Sequence, residues 1–427
     1  MNIFYLSYIG MVFDIIIVGA GIAGLRAAIE SKKINKNLKI LVLEKYKASG
    51  GRMYTVHEIV KGKKIQYESG AGRIHSSHTK LLSLLNYYNL HTIEISDDTL
   101  WRPYGQTAKP NYFTDMWLSL CSIFEELPDE VKRTKTLREL AISALGAEQA
   151  TNLLDHYPYR AELEIANADS SIDLYKSLQK GHFCVVKEGF SALAERMTKD
   201  AVKQDVQFKY NTEVERITYD HVIYTVKTTK QTSFEAKRVI MALPQKALIN
   251  IHPFSQDHPL LKAVRMEPLM RIYSVYPQPA DWFPKAKVVT NTPLRYIIPV
   301  DQKAGLIMSS YLDSRDIELW PDLHKKENHE KLVQKIQNET TALFPESHIP
   351  EPLYTKAHLW QQGCSYWLPT TEDYRQLSRE ALNPMPDTHP GLHLIGESFS
   401  KKQQWIEGAI EHADELIASI KENLLQK

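Results

Sequence analysis

Apolar residues fall in two rhythms along this chain. Unbroken aliphatic runs read as strands buried on both faces. Phe13-Asp14-Ile15-Ile16-Ile17-Val18 and Ile40-Leu41-Val42-Leu43 are of this kind, as are Val239-Ile240-Met241 and Leu392-His393-Leu394-Ile395. The other rhythm is helical: Ile406, Ala409, Ile410, Ala413, Leu416, Ile417 and Ile420 share one face. Residues 97–181 are largely helical in pattern, for example over 116–124. Residues 254–356 mix strands at 271–276 and 305–311 with a helix over 325–343. Buried strands alternating with helices predict an α/β fold (α+β overall), built around a parallel sheet.

Glycine spacing adds chemistry to the first strand. Gly19-Ala20-Gly21-Ile22-Ala23-Gly24 separates it from a helical Leu25-Arg26-Ala27-Ala28-Ile29-Glu30, and the second strand ends on Glu44. Strand, G-x-G-x-x-G, helix, strand and acid form a dinucleotide-binding fingerprint. Gly19 permits the tight turn, Gly21 the backbone approach to a pyrophosphate, and Gly24 close packing of helix on strand. The helix N-terminus offers N–H groups to phosphate, and Glu44 can accept from a ribose diol, with Lys45 beside it. Further on, Gly50-Gly51-Arg52 pairs an accessible backbone with a cationic fork suited to pyrophosphate. Gln66-Tyr67-Glu68-Ser69-Gly70-Ala71-Gly72-Arg73-Ile74 reads as a strand turning into a small-residue loop that a flat ring could approach, or as a plain turn.

The length, 427 residues, allows two domains with sizeable cores, and a net charge of +1 gives no electrostatic case for a nucleic-acid partner. Three scattered cysteines, Cys121, Cys184 and Cys364, make neither a disulfide framework nor a zinc cluster, which favours a reducing, cytoplasmic setting. Residues 1–10 are apolar and aromatic but lack a basic n-region, and are read as a short extension upstream of Met11. No apolar run is long enough for a transmembrane segment. His75 and His78 have no third partner in view and are read as polar loop residues rather than metal ligands.

These segments resemble the flavin-containing amine oxidase superfamily, which includes monoamine, polyamine and L-amino-acid oxidases. The resemblance extends to Val186-Lys187-Glu188-Gly189-Phe190, to Asn211-Thr212-Glu213-Val214, to Ala242-Leu243-Pro244, and to Gly396-Glu397 followed by Trp405-Ile406-Glu407-Gly408-Ala409. It implies FAD rather than NAD, held by a Rossmann-like domain formed from 11–95, 184–253 and 357–427. A substrate domain of mixed sheet and helices, 96–183 and 254–356, is interleaved with it. By resemblance the cofactor meets Gly19, Gly21, Ala23, Gly24, Glu44, Lys45, Gly51, Arg52, Gly70, Ala71, Gly72, Arg73, Val214, Gly396, Glu397, Trp405, Ile406 and Ala409.

The implied reaction is oxidation of a C–N bond in a small amine, polyamine or amino acid by hydride transfer to flavin N5, with dioxygen as acceptor. Family members flank the amine with two aromatic rings. Trp405 falls on one of those positions, and the other falls at or beside Ser365, with Tyr366 next. Arg271 stands where many members have a lysine, keeping the charge but unable to release a proton. Cys364 lies where monoamine oxidases form a flavin thioether, although Ser365 replaces the tyrosine that follows there. Non-covalent FAD is the reading, with the thioether as the alternative. Arg73 resembles the arginine that L-amino-acid oxidases pair with the substrate carboxylate; flavin contact or a structural salt bridge are the other readings. A dehydrogenase or desaturase of the protoporphyrinogen-oxidase or carotenoid-desaturase type, or an FAD-bound scaffold without turnover, are the competing functions.

Overall fold

The apolar run at 13–18 forms two strands rather than one, because Asp14 interrupts it. The Asp14 carboxylate accepts from the Lys39 backbone N–H at 2.8 Å and pairs with Lys237 at 3.0 Å. Val12–Phe13 therefore joins Ser233–Ala236 in one sheet, while Ile15–Val18 is the centre of another. A computed structural model describes residues 11–111, 113–178, 180–277 and 279–425; the extension expected at 1–10 lies outside the described residues.

The central sheet has five strands in the order Gln207–Lys209, Ile40–Leu43, Ile15–Val18, Val239–Met241, Leu392–Leu394. All are parallel. Successive side chains point to opposite faces of a strand, so the unbroken apolar runs feed two cores. Ile15, Ile17, Ile40 and Val42 pack against the helices Ile22–Ile34, Phe190–Lys203 and Ile406–Ser419. Ile16, Val18, Leu41 and Leu43 pack against the Val214–Tyr219, Tyr224–Thr228, Ser233–Ala236 layer.

A seven-stranded sheet carries the other half. Its order is Tyr354–Trp367, Val264–Val275, Leu306–Asp313, Tyr296–Asp301, Lys287–Val289, Thr99–Trp101, Lys109–Pro110. The strand expected at 271–276 is the second half of Val264–Val275, and the expected helix is His329–Leu343 preceded by a 3-10 turn at Lys326–Asn328. That helix buries Leu332, Ile336 and Leu343 against Met270, Ile272 and Ile307 of the sheet. Tyr354–Trp367 spans the boundary expected between residues 356 and 357. Helices between Phe113 and Ser177 form their own core around Trp117, Phe124 and Leu154. Among the described residues no helix is long and apolar enough to cross a membrane.

Candidate active site

The parallel strands end at one large cavity of about 1440 Å³, which reaches across to the seven-stranded sheet. This exceeds the roughly 300–1,000 Å³ of an ordinary ligand pocket and suits a dinucleotide with a substrate beyond it. At its floor Ile15–Val18 turns at Gly19, whose φ of +104° favours glycine. A Cβ at Gly24 would lie 2.1 Å from the Gly19 carbonyl oxygen, so Gly24 serves helix-on-strand packing; it lies behind the cavity rather than on its wall. Gly21 is the opposite case. It begins the Ile22–Ile34 helix without a side-chain cap, and a Cβ there would meet nothing within 4 Å. The uncapped N–H groups therefore face open space beside Ala23, where a phosphate would satisfy them.

Glu44 is buried at the end of the second strand. Its oxygens accept from Ala20 N–H at 2.7 Å and Tyr46 N–H at 2.8 Å. A carboxylate has about four acceptor sites, so capacity for a diol remains. Lys45 lies at the rim, paired with Glu213 at 2.7 Å, a hydrogen bond that raises its pKa. Val214 lines the same side.

The small-residue loop is dictated partly by the protein itself. A Cβ at Gly70 would sit 1.9 Å from the Arg52 carbonyl oxygen, and one at Gly72 would sit 2.9 Å from the Arg271 guanidinium. Ala71 N–H donates to that same Arg52 carbonyl at 2.9 Å. Arg52 itself follows Gly51, where φ is +58°, and pairs with Glu397 at 2.8 Å while donating to Gly363 O at 2.8 Å. Glu397 also accepts from Ser365 N–H at 2.9 Å, Ser365 Oγ–H at 3.0 Å and Gln404 N–H at 2.7 Å. One buried carboxylate just after Gly396 thus fastens three wall segments together. The Ile406–Ser419 helix begins without a side-chain cap, so a second set of free N–H groups opens on the cavity at Ile406 and Ala409.

Residues 359–364 of Tyr354–Trp367 all reach the cavity beside a register shift, and alternation sets in only beyond them. Cys364 and Tyr366 line the cavity, while Ser365, fully buried, turns toward Glu397 and Ser398. The inward aromatic next to Cys364 is therefore Tyr366. Burial, then the Glu397 charge, pushes the Cys364 thiol up to about 12. Trp405 lines the cavity too, with its indole Nε1 buried and unpartnered among the described residues. Its ring contacts are His78 at 4.7 Å and Phe183 at 6.1 Å, and no ring contact joins it to Tyr366 among the described residues.

His75 and His78 are buried rather than polar loop residues, and this corrects the sequence reading. Glu407, fully buried, explains the burial of His78. Its carboxylate accepts from Lys80 N–H at 3.0 Å and Leu81 N–H at 2.8 Å, capping the Thr79–Tyr87 helix and drawing His78 against Trp405. Burial, reinforced by His75, lowers the His78 pKa to about 3.

Arg271 lines the cavity from Val264–Val275. It donates to Glu68 O at 3.1 Å and Tyr311 Oη at 3.2 Å, lies over the Tyr311 ring at 4.6 Å, and leaves its buried Nε without an acceptor among the described residues. Arg73 sits nearby, donating to Tyr159 Oη and packed 5.2 Å from the Phe183 ring. It forms no ion pair among the described residues, and its charge acts on the nearby Glu162 carboxyl. Around it the cavity wall gathers Tyr159, Tyr296, Tyr311, Glu162 and Lys287. These five were missed in the sequence, because they come from separate segments that carry no motif.

The two uncapped helix ends, the Gly21 opening, Glu44 and the orphaned Trp405 Nε1 fit a flavin dinucleotide laid along the cavity. The family model for flavin-containing amine oxidoreductases matches residues 22–415. A comparison with curated proteins finds no match. Among solved structures, a double mutant of putrescine oxidase redesigned at its cofactor site is similar with a TM-score of 0.75 and 16% identity, covering 96% of this chain and 99% of that one. Wild-type putrescine oxidase bound to putrescine gives a TM-score of 0.74 at 16% identity, with the same coverage. The chain belongs to the flavin-containing amine oxidoreductases and is an FAD-dependent, amine-oxidase-like enzyme.

Proposed function

We propose that this enzyme oxidises the C–N bond of an amino acid and that its FAD is held non-covalently. The observation that carries the substrate class is Arg73, a half-buried guanidinium on the cavity wall that forms no ion pair among the described residues. A cation partly withdrawn from water gains from a counter-charge, and a substrate carboxylate is a bidentate match for it. FAD held there would supply the hydride-accepting chemistry for the carbon beside the amine, with dioxygen as the final acceptor and hydrogen peroxide as its product. Trp405 and Tyr366 exclude water and present aromatic faces to the amine. The uncapped start of Ile406–Ser419 offers N–H groups to negative charge at the flavin pyrimidine. Gly19, Gly21, Glu44, Arg52, Gly396 and their neighbours hold the remainder of the cofactor.

A thioether at Cys364 needs a thiolate, and a thiol pushed up to about 12 supplies little of it at neutral pH. Arg271 in place of lysine favours one second reading: the same oxidation with an acceptor other than dioxygen. Anaerobic bleaching of the flavin over a panel of amines, polyamines and amino acids tests the class, and aerobic recovery with peroxide release tests the acceptor. Bleaching by amino acids, weakened in Arg73→Lys through KM, is the expected result. Bleaching by polyamines alone would remove the proposal. Acid precipitation should leave the flavin in the supernatant.

A further inference from the structure

Lys287 is a buried lysine that nothing above employs. It begins the strand Lys287–Val289, is 6% exposed, and lines the same cavity as Arg73. Lysine is rarely buried without a close partner. The one here is Asp97, at 3.5 Å, longer than a good charge-assisted hydrogen bond, and the Asp97 side chain is about half exposed (47%). The strand pairing fixes the location: Lys287 sits opposite Thr99 and donates its backbone N–H to Asp98 O at 3.0 Å. Arg73 donates to Tyr159 Oη, the Tyr159 ring lies 5.9 Å from that of Tyr296, and Tyr296 pairs with Val289, two residues along the strand from Lys287, so the two cations share one stretch of wall. Burial first, and the Arg73 charge second, hold the Lys287 ammonium down to about 8.

The acids that line this end of the cavity are held chiefly by other donors. Glu162 is engaged by the Tyr157 and Tyr175 hydroxyls, and burial pushes its carboxyl up to about 7. Asp313 is engaged by Arg160 N–H at 2.9 Å and Ala161 N–H at 3.0 Å, and burial raises it to about 6. A buried Lys287 and a half-buried Arg73 facing one cavity, both with weakly committed partners, call for two anionic groups on a ligand.

We infer that Lys287 and Arg73 form a two-cation subsite, so that the substrate is an acidic amino acid. Arg73 takes the α-carboxylate and Lys287 the side-chain carboxylate. This rests on the amino-acid reading and narrows it.

The test uses the FAD-loaded enzyme and does not depend on turnover. Glutarate and butyrate are titrated against the flavin absorbance of the wild type. Glutarate should bind about 10–100-fold tighter, the range that one charge-assisted hydrogen bond supplies. Lys287→Met should erase that preference and Lys287→Arg should restore most of it. In turnover, the ratio of KM for glutamate to KM for norvaline should rise about 10-fold in Lys287→Met, with kcat carrying little of the change. Equal binding of glutarate and butyrate by the wild type overturns the inference even if Lys287→Met fails to fold. Glutarate preference without oxidation of any amino acid supports the two-cation subsite while removing the amino-acid reading. Oxidation of neutral amino acids without glutarate preference does the reverse.

Discussion

Glu397 offers the sharpest stability prediction, because its four interactions can be separated by two substitutions. Glu397→Ala removes the acceptor for Ser365 N–H, Ser365 Oγ–H and Gln404 N–H, together with the partner of Arg52. Breaking a buried ion pair costs about 3–5 kcal/mol when the other charge is left in place. The Arg52 side chain is 30% exposed and can regain water, so the ion-pair part should fall below that range. Ser365 is fully buried, so its N–H cannot be rehydrated, while its hydroxyl keeps Ser398 Oγ at 2.7 Å. The total is then about 3 kcal/mol. Glu397→Gln keeps one carbonyl acceptor and most of the shape, and should cost about 1–2 kcal/mol. Thermal unfolding followed by circular dichroism and flavin fluorescence reads both. At about 2–4 °C per kcal/mol, the alanine variant should melt about 6–12 °C lower and the glutamine variant about half as much. Equal melting of the two variants would show that charge, not acceptor count, sets the value. An alanine variant melting within about 1 °C of wild type would end the idea that Glu397 fastens the walls.

Two further predictions follow from single positions. Gly21→Ala adds a methyl group that meets no protein atom within 4 Å, so apo-protein melting should stay within about 1–2 °C of wild type while FAD affinity falls at least about 10-fold. Normal FAD binding by that variant would count against the cavity floor as the pyrophosphate site. His78 has a folded pKa of about 3, well below its unfolded value of about 6.5. The unfolded state therefore binds the proton first, and stability is lost as pH falls through the window from 6.5 toward 3. Glu68 and Glu162, both raised to about 7, act in the opposite sense. The His78 share is accordingly the difference between wild type and His78→Phe, whose acid-side decline should be shallower. Parallel pH–melting curves for the two proteins would exclude it.

The cofactor half was legible because backbone geometry constrains its sequence. Gly19, Gly21 and Gly24 must be small at fixed spacing, and strands buried on both faces must be apolar throughout. The parallel neighbours Ile15–Val18, Ile40–Leu43 and Val239–Met241 could be found on that ground alone. The substrate half follows no such rule. Tyr159, Tyr296, Tyr311 and Lys287 converge only through the pairing of a seven-stranded sheet, and any side chain that fits the wall is structurally acceptable there. Asp14 shows a subtler failure. Its place in an apolar run looked incidental, yet its two ion and hydrogen-bond partners divide one apparent strand between two sheets. His78 was misread because its burial depends on Glu407, more than 300 residues away and invisible to local pattern.

The strand order of the central sheet also sets a timetable for synthesis. Ile15–Val18 leaves the ribosome early, but Val239–Met241 keeps an open edge until Leu392–Leu394 docks beside it. At about 5–20 residues per second, that interval lasts on the order of tens of seconds. During it the nascent chain exposes an apolar strand edge, a template for unwanted pairing. Gly396, Glu397 and the Ile406–Ser419 helix are also still missing, so the early fingerprint has only half a cradle to offer. With these residues holding FAD as proposed, cofactor capture would wait until translation is nearly finished, and a chain cut short before Leu392 would carry an intact nucleotide fingerprint and yet retain no flavin.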